Sequence, residues 1–188
     1  NNILKIIFYS ICLFTYSHVM ANEEAKYDVV KSNDVYEIRK YSDRLAIQVA
    51  SKIGNNGFRK LFNYISGNNE TNQKIKMTVP VTVMEKSGNM TMQFYLPSKF
   101  NKNNIPVPTS SDVEIINIEG GFYAVIRYSG RASDNNFIKH RDILESELYK
   151  DGIVIKGPPI KATYNSPFTL PLMRRNEAMF NVSFKIKG

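Results

Sequence analysis

The 188-residue sequence predicts an α+β domain, or a distorted barrel, built from two similar halves. Three observations carry that prediction. Stretches alternating between apolar and polar residues dominate from Tyr27 onward, as expected of a sheet with one wet face. Two amphipathic helical stretches interrupt them. The order strand, turn, strand, helix, strand, strand then occurs twice, over about 27–98 and 112–187. With 43% hydrophobic residues the chain can bury one substantial core, whereas neither half would do so alone.

The first 21 residues read differently from the rest. Lys5 precedes the apolar run Ile6 to Phe14, and Val19 and Ala21 supply a small-residue cleavage pattern before the polar Asn22, Glu23 and Glu24. The run is shorter than the roughly 20 residues that span a bilayer. The expectation is a signal peptide over 1–21, cleaved on the way into the secretory pathway or to the exterior, with an uncleaved membrane anchor as the alternative. Residues 22–188 then form one domain.

Within that domain Val35–Tyr41 and Leu45–Ala50 alternate as strands about a turn at Ser42-Asp43-Arg44. A helix follows from about Asn56, where Phe58, Leu61, Phe62 and Ile65 make one apolar face, and Gly67 with Asn68 and Asn69 ends it. Ile75–Met84 reads as a strand pair or a bent edge strand, because Pro80 has no N–H for a ladder. Met90–Leu96 alternates again, and the polar, proline-punctuated Pro97–Ser111 connects the halves. The second half brings Val113–Ile116, a Gly120-Gly121 turn, the strand Phe122–Tyr128 and a helix from Phe137 to about Lys150. Strands around Ile153–Ile155, Lys161–Tyr164 and Ala178–Ile186 close the chain. Glu37 and Glu114, and likewise Phe58 and Phe137, occupy equivalent places in the two halves.

Composition narrows the chemistry. Cys12 is the single cysteine, and His18 and His140 are the two histidines. A disulfide framework, a cysteine zinc site, an iron–sulfur cluster and a multi-histidine metal centre are thereby excluded. No Gly-x-Ser-x-Gly, phosphate loop or convergent carboxylate pair is present, so no enzyme of standard type is expected. The net charge of +8 favours acidic partners, yet it is dispersed, and even Arg174-Arg175 is followed by Asn176-Glu177. No nucleic-acid partner is expected. Asn69-Glu70-Thr71, Asn89-Met90-Thr91 and Asn181-Val182-Ser183 match the glycosylation triplet, as chance would supply in so Asn-rich a chain.

Two places carry candidate binding chemistry. The first helix sets Phe58 and Phe62 beside Arg59 and Lys60, which suits a flat hydrophobic ligand whose acids meet cations at the rim, and a porphyrin fits that description. As plain structure, the same residues are a core face with solvated flanks. His140 lies on the inward face of the second helix, as an axial haem ligand or as a histidine satisfied by a backbone carbonyl.

A set of segments in fixed order resembles the SOUL haem-binding protein family. They are Tyr36–Tyr41, Phe58–Asn68, Lys74–Val81 with Met77-Thr78-Val79-Pro80-Val81, Phe94–Pro97, Pro106–Pro108, Tyr164–Phe168 and Met173–Glu177. The resemblance spans Tyr27 to Phe184. It implies a distorted eight-stranded antiparallel barrel of two pseudo-symmetric halves, each with one helix. It also implies non-covalent binding of haem or free porphyrin, as a carrier or buffer, in a hydrophobic groove beside the first helix. The family's groove positions fall on Asn55, Phe58, Phe62 and Asn63, with Met84 and Leu170 opposite. Family members often place Arg or Lys at the positions of Asn55, Asn63 and Leu170, so Arg59, Lys60 or Arg174 would meet the propionates here. Two alternatives accompany that reading. The groove would serve a protein partner or an anionic membrane surface, or the chain would act on the tetrapyrrole itself, for instance by removing its metal.

Overall fold

A computed structural model describes residues 22–52, 56–86 and 88–186. The predicted leader and Asn55 lie outside the described residues. The period-two segments form strands because alternate residues can then share one buried face. In the first half they are β1 (Glu23–Glu24), β2 (Tyr27–Ser32), β3 (Glu37–Tyr41), β4 (Arg44–Lys52), β5 (Thr78–Val79), β6 (Val81–Lys86) and β7 (Asn89–Tyr95). In the second they are β8 (Glu114–Ile118), β9 (Gly121–Tyr128), β10 (Val154–Ile155), β11 (Ile160–Thr163) and β12 (Asn176–Ser183). Helix α1 (Gly57–Ile65) follows β4, and helix α2 (Asp134–Lys150) follows β9.

One curled antiparallel sheet carries most of these strands, in the order β2-β3-β9-β12-β11-β6-β7-β4-β8, with β10 added beside β12. Its two ends, β2 and β8, do not pair with each other among the described residues, so the sheet is a half-barrel where a distorted eight-stranded barrel was expected. Outward from the central β11–β6 pair, one side runs β12, β9, β3 and the other β7, β4, β8. β1 pairs in parallel with β5, apart from this sheet.

Two local expectations change. Ser42 and Asp43 do not close a hairpin, since β3 pairs with β2 and β9 whereas β4 pairs with β7 and β8. Asp43 instead accepts hydrogen bonds from the Gly120 N–H at 2.8 Å and from the Asn117 amide at 3.2 Å. Gly120 is needed there, because a Cβ would lie 2.6 Å from the Tyr41 carbonyl oxygen. The strand after Pro80 is interior rather than an edge, as β6 lies between β11 and β7. Pro80 precedes that ladder and costs it no hydrogen bond.

Each helix covers one stretch of sheet. α1 packs on β4 and β7, burying Leu61, Tyr64 and Ile65 with Ile47, Val49 and Phe94. It ends at Ser66 and at Gly67, whose φ of 117° suits glycine. The Tyr64 hydroxyl donates to the Pro106 carbonyl at 2.7 Å, and burial pushes its pKa up to about 12. α2 packs on β9, β12 and β10, burying Leu144 and Leu148 with Ile126 and Phe180. It starts three residues before Phe137, because the Ser133 hydroxyl accepts from the Asn136 N–H and caps the first turn.

Candidate functional site

The apolar face of α1 is narrower than its periodicity implies. Leu61, Tyr64 and Ile65 take the buried strip, while Phe58 and Phe62, expected inward with them, remain 49% and 47% exposed. A nine-residue helix lying on a sheet buries only the side chains under its axis, and these two rings stand round from it. They stack on each other with centroids 6.0 Å apart and planes 12° from parallel. Phe58 also meets Phe94 edge-on at 5.2 Å, which ties the pair to the core. The result is a flat, half-open aromatic shoulder.

Its polar neighbours differ in their commitments. Arg59 is exposed, sits three and four residues before Phe62 and Asn63, and makes no ion pair among the described residues. Lys60 is engaged, 2.9 Å from Asp112. Asn63 is exposed and, with Gly67 and Asn72, lines a polar hollow of about 400 Å³.

The remaining sequence candidates sit on other elements. In β6, Val81 faces Phe94 and Val83 faces Met92, on the side that α1 covers. Met84 alternates to the other face of the sheet, with Thr82, which donates to Gln93 at 3.2 Å. Leu170 is exposed in a loop tied to the end of β9, where the Gly130 N–H donates to the Pro171 carbonyl at 2.8 Å. Arg174 fastens that same loop, donating to the Thr169 carbonyl at 2.8 Å and to the Pro167 carbonyl. His140 belongs to α2. Its Nδ1 lies 2.7 Å from the Asn136 carbonyl, and its ring stacks 4.0 Å from that of Tyr128. Its Nδ1 thus has the backbone-carbonyl partner that the plain structural reading expects.

Arg174-Arg175-Asn176-Glu177 begins β12 and organises a buried charge cluster. The Glu177 carboxylate, fully buried, accepts from Arg39 at 3.0 Å, from Arg175 at 2.9 Å and from the Tyr164 hydroxyl at 2.6 Å. Arg175 also holds Glu24 through two 2.8 Å bonds, and Arg39 reaches Glu37 at 2.8 Å. Burial opposes the charge on Arg39, but Glu177 outweighs it and raises the pKa above the ordinary arginine value. Burial and then the Glu177 charge drive the Tyr164 phenol far up, so it stays a proton donor. Asn69, in one of the glycosylation triplets, is buried, with its amide nitrogen donating to the Tyr64 and Gln73 carbonyls. It is a loop organiser rather than a glycan acceptor.

A cavity larger than the hollow beside Asn63 lies elsewhere, among segments far apart in the chain. It measures about 640 Å³ and sits where residues 23–26, the β3–β4 connection and the Pro97–Lys102 segment meet. Arg44 is its innermost cation, with the guanidinium 4.2 Å from the ring centroid of Tyr41 and 4.7 Å from that of Tyr95. Among the described residues no three potential metal ligands come together, and no helix is long and apolar enough to cross a membrane.

Comparison with known proteins decides the family. The model of the SOUL heme-binding protein family matches residues 22–181. The chain belongs to the SOUL family. It is 30% identical over 172 residues to heme-binding protein 2 of Mus musculus, a match covering 84% of this chain and 83% of that one. Against heme-binding protein 2 of Homo sapiens it is 36% identical over 129 residues, covering 64% of this chain and 62% of the human protein's length. Among solved structures, an uncharacterized conserved protein from Listeria innocua aligns with TM-score 0.60 at 12% identity, over 81% of this chain and 94% of that one. The EcmrR C-terminal domain aligns with TM-score 0.59 at 12% identity, over 84% and 98%. These two share the fold.

The most specific SOUL segments meet inside the sheet. Thr163 of β11 pairs with Val81 on one side and with Asn176 on the other. The Met77–Val81 and Arg174–Glu177 segments thus meet across a single strand at the centre of the sheet.

Proposed function

We propose that this SOUL domain binds haem or a free porphyrin non-covalently, as a carrier or buffer, on the open face of α1. One observation carries the reading: Phe58 and Phe62 present two near-parallel, half-exposed rings that a planar macrocycle would cover. The family and the names of both mammalian relatives support it. The residues fit a macrocycle better than they fit an iron. Arg59 is positioned to pair with a propionate, whereas Lys60 would first have to leave Asp112. His140, held against Tyr128 on the other helix, takes no part in the proposed site. The two sides of the sheet descend, in this account, from an internal duplication, and the predicted leader sends the domain into the secretory route.

Titration of residues 22–188 with hemin, followed at the Soret band, tests the proposal. A saturable shift at micromolar protein is expected, with the same maximum in His140→Ala. Absence of saturation overturns the binding, and a displaced maximum in the variant returns His140 to the site.

A second reading rests on a different feature. Phe168, Leu170, Leu172 and Met173 are 94%, 67%, 87% and 72% exposed in one short loop that Arg174 and Gly130 hold in shape. Large apolar side chains displayed together on a basic protein suit insertion into an anionic membrane surface. Co-sedimentation with phosphatidylserine vesicles, weakened in Phe168→Ser/Leu172→Ser, is the expected result. Equal sedimentation of both proteins removes this reading.

A further inference from the structure

We infer that the Arg44 cavity is a second binding site, separate from the α1 face, for a small amphipathic monocarboxylate. At about 640 Å³ it has the size of a small-molecule pocket. Its acids are already occupied. Glu24 is held by Arg175 through two 2.8 Å bonds, Asp43 accepts from Gly120 and Asn117, and Glu23 accepts from the Ser98 N–H at 2.7 Å. Its cations are less firmly engaged, Arg44 with the Tyr95 hydroxyl and Lys102 with Asp43 at a distance. Arg44, Lys26 and Lys102 line the same space and make no ion pair within 4.0 Å among the described residues. Glu24 is balanced by Arg175 outside the lining, so Arg44, Lys26 and Lys102 face the two remaining carboxylates of Glu23 and Asp43, and the cavity keeps a small excess of positive charge.

Arg44 is the anchor within that space. Its guanidinium is caged by the rings of Tyr41, Tyr95 and Tyr123, at 4.2, 4.7 and 5.6 Å from their centroids. Its Nε is buried without a hydrogen-bond partner. A guanidinium oriented by stacking on three rings presents its terminal nitrogens as a planar fork, which matches the two oxygens of a carboxylate. The apolar part of the wall comes from Leu45, Leu96, Pro97 and Phe100, which gives the remainder of the ligand a hydrophobic lining. A single acid head on a compact apolar body satisfies both halves of the cavity. A multiply charged phosphate compound would leave the apolar half unused.

Calorimetric titration of the full chain with decanoate, using decanol as the uncharged comparison, tests the assignment. Decanoate is expected to bind saturably, one per chain, and at least tenfold more tightly than decanol. Arg44→Gln is expected to weaken decanoate roughly tenfold to a hundredfold, as loss of a charge-assisted pair does, while leaving decanol unchanged. Arg44→Lys should recover part of the loss. The comparison of the two ligands on the unaltered protein stands even if Arg44→Gln folds poorly. Hemin at saturation is expected to leave decanoate affinity unchanged. No saturable decanoate binding, equal affinity for decanol, an unaffected Arg44→Gln variant that is folded, or displacement by hemin would each overturn a separate carboxylate site.

Discussion

Replacing Glu177 by Gln preserves shape and removes one charge from the centre of the molecule. Glu177 is 0% exposed and Arg39 only 3%, so the substitution leaves a guanidinium inside the protein with Glu37 as its remaining carboxylate. Arg175 loses less, because Glu24 still holds it through two bonds. Breaking a buried pair from one side costs about 3–5 kcal/mol, and the amide oxygen left to accept from Tyr164 argues for the lower end, about 3 kcal/mol. For a domain of this size that corresponds to a fall in Tm of roughly 6–12 °C. Urea unfolding followed by circular dichroism measures it. Removing both charges as Arg39→Met/Glu177→Met should cost less than the two single substitutions added together, since the charge left without a partner, Glu37, is exposed rather than buried. A Glu177→Gln variant within about 0.5 kcal/mol of the parent, or strict additivity in the double, would refute the view that this cluster locks the sheet.

Three further outcomes follow from the same geometry. Asp151 accepts from Lys31 at 2.8 Å and from the Tyr36 hydroxyl, in that order of effect, and its pKa is lowered. A depressed carboxylate stabilises the fold above its unfolded pKa and ceases to do so as pH falls through the folded value, so Asp151→Asn should flatten the loss of stability below about pH 4. An unchanged acid limb would contradict this. Burial pushes Tyr41 and Tyr64 up to about 12 and also raises Tyr36, Tyr95, Tyr128 and Tyr164. The neutral phenols therefore stabilise the fold below the unfolded value of about 10, and that contribution is lost as pH rises toward the folded values. Absorbance at 295 nm should accordingly show incomplete ionisation at about pH 11 until guanidinium is added, and full ionisation of the folded protein would contradict the burial. Gly120→Ala should destabilise markedly in thermal melts, because its Cβ would sit 2.6 Å from the Tyr41 carbonyl oxygen, and an unchanged Tm would show that the β3–β4 connection yields.

The elements were legible because period signals are local. Alternation from Val35 to Tyr41 and from Leu45 to Ala50 does give strands, and the offsets from Phe58 to Ile65 do give a helix. Partner choice was not legible, since nothing near Ser42-Asp43 says that β3 leaves for β9 while β4 takes β8. A helical period likewise marks an apolar face without saying how much of it the sheet covers, which is why Phe58 and Phe62 were expected inward and stand half-exposed. Which face Met84 takes was not legible for a similar reason, as the register of β6 decides it. The Arg44 cavity draws on segments far apart in the chain, and Arg44 itself was read from the sequence only as part of a turn.

Binding of hemin to Phe58→Ala/Phe62→Ala, set against the parent protein in the same Soret titration, addresses the proposed site most directly. Each aromatic contact contributes about 0.5–1.5 kcal/mol beyond area, so loss of both should weaken binding by roughly fivefold to a hundredfold. A folded double variant that binds hemin as tightly as the parent would contradict a macrocycle seated on the α1 rings.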